Sequence, residues 1–252
     1  MKHFHSFLAL SFLAALAISC APKDNTLTKA EQADGWQLLF NGQDLTGWRS
    51  FNKPELIGGW SVVDGCIRAA GDGSDGSGYI VTDRKYSNFI LKWDWKLTHG
   101  GNSGMIYHVV ENPVFDVPYV TGPEYQLIDN EGWEEVNAPN KLEEWQKLGV
   151  DYAMHLPDYS VMKVNPQGEW NTSQIVFDNG HVEHWLNGVK VIEYERGSAA
   201  FRKAVAESKY ATWGNDRDGK PQPWGEVPVG RLHIQDHSDS TAYFCNLKVK
   251  EL

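Results

Sequence analysis

Nine consecutive residues, Phe89-Ile-Leu-Lys-Trp-Asp-Trp-Lys-Leu97, alternate without a break: Phe89, Leu91, Trp93, Trp95 and Leu97 against Lys92, Asp94 and Lys96. Only an extended strand with one buried and one wet face sorts such a run, because strand side chains repeat every second residue. A second stretch carries the idea further. Ser173 to Asn179-Gly180, His181 to Asn187-Gly188 and Val189 to Tyr194 read as three short strands joined by two Asn-Gly pairs, the residues that tight hairpin turns require. Residues 231–236 and 242–252 add two more strand signals. Helical signals are confined to residues 140–147 and 198–209, both short enough to be surface insertions. Many strands, frequent turns and few helices predict an all-β fold, a sandwich or jelly roll of two antiparallel sheets with short helical insertions.

The ends bound the domain. Residues 1–20 have a short basic start, an apolar run from Phe7 to Ile18 and a small residue before Cys20, the pattern of a bacterial lipoprotein signal. Cys20 is expected to carry the lipid, with residues 1–19 removed, residues 20–33 a flexible tether and residues 34–252 a single domain. That makes the protein an exported lipoprotein on the periplasmic or outer-membrane side, its membrane partner reached through the N-terminal lipid. Roughly 230 residues suffice for one large β domain with a substantial core. Two cysteines remain, Cys66 and Cys245, which an oxidising compartment permits to pair and which otherwise are two buried thiols. The net charge of −10 and the lack of basic runs exclude a nucleic-acid partner, since phosphate binding needs a concentrated cationic face. Eleven Trp and ten Tyr suit both core filling and platforms for sugar rings.

Gly122-Pro-Glu-Tyr-Gln-Leu-Ile-Asp-Asn130 is the stretch richest in chemistry. Glu124 and Gln126 share one strand face, and Asp129 joins them only if a bulge resets the alternation. The spacing resembles the Glu-x-Asp-x-x-Glu strand of laminarinase-like glycoside hydrolases, with Gln at the middle position and Asp at the last. Losing the middle charge weakens that reading.

The ordered motifs Gly35-Trp-Gln-Leu-Leu-Phe-Asn-Gly-Gln-Asp-Leu-Thr-Gly-Trp48, Trp60-Ser-Val-Val-Asp-Gly65, Gly100-Gly-Asn-Ser-Gly104, Glu124 to Asn130, Gly168-Glu-Trp-Asn171, His184-Trp-Leu-Asn-Gly188 and Leu232-His-Ile-Gln-Asp-His237 resemble the 3-keto-disaccharide hydrolase domain family. The resemblance covers nearly the whole chain after the signal. It implies a concanavalin-like sandwich acting on glycosides oxidised at C3, with a sugar 3-oxidising enzyme as the partner that supplies the substrate.

A ketone at C3 acidifies the C2 proton, so the C1 leaving group can depart by elimination and water can add afterwards. That route needs a base, an acid and an enolate stabiliser, whereas direct hydrolysis needs two carboxyls flanking the bond. The expected catalytic residues are Glu124, Asp129 and His237. The expected substrate ligands are Asn102, Ser103, His108, Gln126, Trp170, Asn171, His184 and Gln235. His233 and His237 could join Glu124 or Asp129 around a divalent ion; otherwise no cofactor is called for. Two other functions fit parts of the pattern: a non-catalytic carbohydrate-binding module, and hydrolysis of unoxidised β-glucans.

Overall fold

The computed structural model describes residues 25–70, 79–213, 224–237 and 241–252. The lipoprotein signal with Cys20 lies outside the described residues, as do residues 71–78, 214–223 and 238–240. Thirteen strands are present among the described residues: β1 (Trp36–Leu38), β2 (Trp48–Ser50), β3 (Ser61–Val63), β4 (Cys66–Ala69), β5 (Tyr79–Thr82), β6 (Phe89–Leu97), β7 (Asn102–Val109), β8 (Glu124–Ile128), β9 (Asn171–Asp178), β10 (His181–Leu186), β11 (Val189–Glu195), β12 (Arg231–Gln235) and β13 (Ala242–Glu251). They form two antiparallel sheets. One has eight strands in the order β11-β10-β9-β6-β13-β4-β3 with β1 also on β13, and the other has five in the order β2-β5-β12-β7-β8. The all-β two-sheet sandwich is as the sequence predicts.

The core forms where alternation says it should. Phe89, Leu91, Trp93, Trp95 and Leu97 are all buried while the residues between them are not, and they meet Met105, Tyr107, Tyr125 and Leu127 of the five-stranded sheet. Both Asn-Gly pairs turn as the sequence demands: φ is positive at Asn179 and Gly180 and again at Asn187 and Gly188, which joins β9, β10 and β11 into the expected meander. Cys66 and Cys245 are disulfide-bonded, with their Cα atoms 4.8 Å apart on the neighbouring strands β4 and β13.

Two expectations need correction. The tether is not free up to residue 33. Asn25 is buried, exchanges backbone–side-chain hydrogen bonds with Asn246 at 3.0 and 2.9 Å, and donates from Nδ2 to the Gly65 carbonyl at 2.7 Å. Helix α1 (Lys29–Ala33) follows, closed by a Thr28/Glu31 capping box and by an ion pair from Glu31 to Lys248. The folded domain therefore begins by residue 25. The other correction concerns helices. Residues 140–147 give only one 3₁₀ turn at Glu144–Gln146, whereas helix α2 (Asn130–Val136) arises directly after the strand, where no helix was expected. The insertion at 198–209 is helical as read: α3 (Ala199–Glu207), capped by Ser198, and then the short α4 (Tyr210–Trp213).

Candidate active site

The cleft lies on the outer face of the five-stranded sheet, the face turned away from the eight-stranded sheet. Pairing registers fix what that face displays. Gly104 sits opposite Gln126, and Ile106 opposite Glu124. On the other side of β7, His233 sits opposite Ile106, while Gln235 pairs with Tyr79 of β5. One row across the sheet is thus Tyr79, Gln235, Gly104 and Gln126, and the next contains His233, Ile106 and Glu124. A cavity of about 250 Å³ opens over these rows, lined by Glu124, Gln126, Asn102, Gln235 and His237, together with Tyr79, Tyr119, Tyr152, Lys209 and Asp236.

Glu124 is held from both sides. Its strand pairs with β7, and its carbonyl accepts from Tyr152 N at 2.9 Å, part of an irregular segment that also pairs with Gln126 through Val150 and Gly149. The side chain then lies across Gly104: a Cβ built there would stand 2.2 Å from Glu124 Oε1. Glycine at 104 is therefore what lets the carboxylate reach over β7 toward the middle of the sheet. Gln126 Nε2 donates to Asn102 Oδ1 at 3.2 Å, which fixes a neighbouring pair of amide groups along the cleft wall.

Lys209 enters from the other side. It follows α3, whose Phe201 packs with Tyr210 and Trp224 into a small apolar cluster, Tyr210 and Trp224 stacking at 3.7 Å. That cluster seats the helical arm beside the cleft and sets Lys209 Nζ over the Tyr152 ring, 3.9 Å from its centre. Burial pushes the Glu124 carboxyl up to about 8, with Lys209 opposing the rise and Asp151 adding to it. Burial likewise draws the Lys209 ammonium down to about 8, against the pull of Glu124. The pair is thus poised to exchange protons near neutrality.

Several expected site residues are elsewhere. Asp129 does not join Glu124, because β8 carries no bulge: pairing with β7 runs unbroken from Glu124 to Ile128, and the chain then turns into α2. Asp129 becomes the N-cap of that helix, accepting from Gly132 N at 3.2 Å and from Gly100 N at 3.0 Å, and it borders a different cavity. The paired-carboxylate arrangement is not assembled from these two residues. Ser103 points inward and donates to the Gln235 carbonyl at 2.6 Å, so it fastens β7 to β12.

His108 is turned into the core by a bulge that does exist, in β7. Arg231 pairs with Val109 and His233 with Ile106, leaving one extra residue on β7, and His108 takes φ +56°. Its Nδ1 accepts from Arg196 at 2.9 Å, which leaves Nε2 to donate to the Ser87 carbonyl at 2.8 Å. Burial and that guanidinium hold its pKa down to about 4. His184 is also internal, 3.2 Å from the Tyr107 hydroxyl and packed against Tyr125, and burial lowers its pKa to about 3.

Asn171 Oδ1 accepts from Asn165 N and Asn187 Nδ2, closing a loop at the end of β9. Trp170 packs under Lys96 Nζ at 5.0 Å, on the eight-stranded sheet. Of the expected metal ligands, Glu124 and His237 line the cleft, and the other two are engaged otherwise. His233 is buried, with Nδ1 on the Ile80 carbonyl at 2.7 Å, and Asp129 is committed to its cap. Among the described residues the His/carboxylate group with ligand atoms close together is His181, Glu183 and Glu193, on the other sheet.

A profile of the 3-keto-alpha-glucoside-1,2-lyase-like domain family matches residues 35–250. The chain belongs to this family. It is 31% identical to a Bacteroides thetaiotaomicron 3-keto-disaccharide hydrolase, over 92% of this chain and 83% of that one. A solved Parabacteroides distasonis structure, of a protein proposed to be a glycosyl hydrolase, superposes with a TM-score of 0.80 at 44% identity over 91% of this chain and all of that one. Another from the same organism, described in the same terms, gives 0.61 at 27% identity, over 86% of this chain and 99% of that one.

Lys209, Tyr79, Tyr119, Tyr152 and Asp236 escaped the sequence reading. Lys209 had one local signal, a basic residue followed directly by Tyr210 at the end of a capped helix. Tyr79 and Tyr119 had none, since their approach depends on pairing between strands far apart in sequence.

Proposed function

We propose that this protein cleaves the glycosidic bond of 3-keto-glycosides, 3-keto-disaccharides among them, in the cleft over Gly104. The observation that carries this reading is the buried Glu124 carboxylate lying across Gly104 with Lys209 beside it, in a chain of this family. A carboxylate pushed up to about 8 is a strong base once it has lost its proton, and a C2 hydrogen next to a ketone is acidic enough for it to take. Electrons from the C2–H bond form the enolate, then expel the C1 substituent with its bonding pair. Water next adds at C1 while Glu124, its proton exchanged with solvent after the leaving group departs, protonates C2, so the sum of the two steps is hydrolysis.

Lys209, still protonated, offers positive charge to the enolate oxygen. His237, which lines the cleft, gives a proton to the departing oxygen in this reading. Gln126, Asn102 and Gln235 supply donors and acceptors for sugar hydroxyls.

Export as a lipoprotein, lipidated at Cys20, is part of the same proposal, supported by the sequence at the N-terminus and by a disulfide of the kind that persists in oxidising compartments. A sugar 3-oxidising enzyme would then supply the substrate. Cys20→Ala is expected to release the protein from membranes, checked by fractionation.

The deciding experiment incubates the protein with a glycoside and its 3-keto form in deuterated water, with and without a chelator. Turnover of the keto form alone, with deuterium at C2 of the product above the enolisation background, is the expected result. An unlabelled C2 overturns elimination. Sugar binding without any turnover replaces the enzyme by a binding module, and loss of activity with chelator adds a metal to the cleft.

A further inference from the structure

The cleft does not end at Glu124. Tyr79, which closes its far side, also borders a second cavity of about 340 Å³ lined by Phe51, Phe115, Asn52, Lys53 and Asp116. The Tyr79 ring, edge to face with Tyr119 at 6.3 Å, is shared by the two spaces. From Gly104, where the Glu124 carboxylate lies, to Tyr79 is two strand spacings, about 10 Å. The first cavity, at about 250 Å³, is below the range of about 300–1,000 Å³ usual for a whole small-molecule ligand. It holds one ring, and a larger substrate has to extend past Tyr79.

Resting on the function proposed above, we infer that the cavity beyond Tyr79 is the leaving-group subsite and takes a second sugar ring. Its floor is aromatic: Phe51 and Phe115 belong to a small apolar cluster on this outer face with Val81, Ile106 and Val109. Such rings suit the C–H face of a pyranose. Its rim is charged and exposed, Lys53 on one side and Asp116 on the other, which suits hydroxyls and would cost a wholly apolar aglycone the desolvation of both.

The wall is also built in advance. Glu111 accepts from Asn52 N at 2.7 Å and forms ion pairs with Arg49 and Arg231, while Asn52 Nδ2 donates to the Asn112 and Phe115 carbonyls at 3.1 and 2.8 Å. A subsite held rigid by such bonds loses little freedom when a ring enters.

The test compares two substrates with the same keto ring, methyl 3-keto-glucoside and a 3-keto-disaccharide, in wild type and in Lys53→Ala, Asp116→Asn and the double variant. All the changes are on the exposed rim, so the fold is expected to survive them. Loss of the two rim contacts should lower kcat/KM for the disaccharide about tenfold in the double variant and leave the methyl glycoside unchanged. Equal losses on both substrates, or no loss on either, overturn the subsite. Saturation-transfer NMR with the unoxidised disaccharide decides the subsite without any chemistry. Contact to both rings in wild type, with one ring released in the double variant, supports it, and contact to one ring only in wild type overturns it. Absence of turnover in wild type strikes at the reaction alone.

Discussion

Two carboxylate–lysine pairs on opposite outer faces of the sandwich behave in opposite ways. Glu183 and Lys190 lie on the eight-stranded sheet, 3.0 Å apart, within a cross-strand group that includes His181, Trp185 and Glu193. Burial alone would raise the Glu183 carboxyl, but hydrogen bonds from Lys190, Trp185 and His181 outweigh it and lower the pKa. Lys190 is raised by the hydrogen bonds it donates to Glu193 and Glu183. On the five-stranded sheet the same two residue types shift the other way, Glu124 up and Lys209 down, because burial dominates both. Partners joined by direct hydrogen bonds make each other more charged; partners for which burial dominates become willing to trade a proton. Residue type is shared by the two faces, and what separates a stabilising surface pair from a reactive one is the supply of water and of hydrogen bonds.

The largest expected effect breaks the comparison directly. Glu124→Gln, close to isosteric, should lower kcat on a 3-keto-glycoside by about 10²–10⁴, whereas Glu183→Gln should leave it within about twofold. Comparable losses in both would mean the burial difference has no functional meaning.

Next in size is the pH profile. Glu124 must be deprotonated to act as base, so with its pKa raised to about 8 the rate should climb as pH rises toward 8, well above the ordinary carboxylate range. Lys209 must keep its proton, so with its pKa lowered to about 8 the rate should fall above that value. The two limbs belong to the pair and give a narrow bell near pH 8. Lys209→Met should remove the falling limb and move the rising one upward, since Lys209 is what holds Glu124 down.

Stability should fail away from the cleft. The Cys66→Ser, Cys245→Ser double variant should lose about 2–5 kcal/mol, read as a fall in Tm of roughly 5–15 °C, with kcat of the remaining folded protein unchanged. Asp129→Ala should cost about 1 kcal/mol through the lost helix cap, visible in denaturant unfolding, and kcat should stay within a few-fold. Smallest of all, Lys190→Met should change stability by no more than about 1 kcal/mol, because its ion pairs are half-exposed.

The scaffold was legible because it rests on short-range rules. Alternation from Phe89 to Leu97 and the Asn-Gly turns specify strands locally, and the meander follows from neighbours in sequence. His184 was also legible in principle, since it shares its face with Val182 and Leu186 and so had to point inward. Asp129 was misjudged for a local reason: followed by Asn130, Glu131 and Gly132, it carries a helix-start signal that outweighs a continued strand. The inward turn of His108 was not legible, because the β7 bulge exists only through pairing with β12, more than a hundred residues away. Nor was the site as a unit. Glu124 stood out by its strand, but its reach depends on Gly104, and its electrostatic partner arrives on an arm seated by Phe201, Tyr210 and Trp224.

Asn25 gives the molecule a direction. Thr26 and Thr28 line a groove with Lys92 and Asp94, and Asn246 Nδ2 donates to Asp94 Oδ2 at 2.7 Å, so the chain joins the domain on the solvent side of the eight-stranded sheet. The cleft opens from the far side of the sandwich. A protein leashed to a lipid surface by residues preceding Asn25 would stand with its mooring beneath it and its mouth facing the open medium.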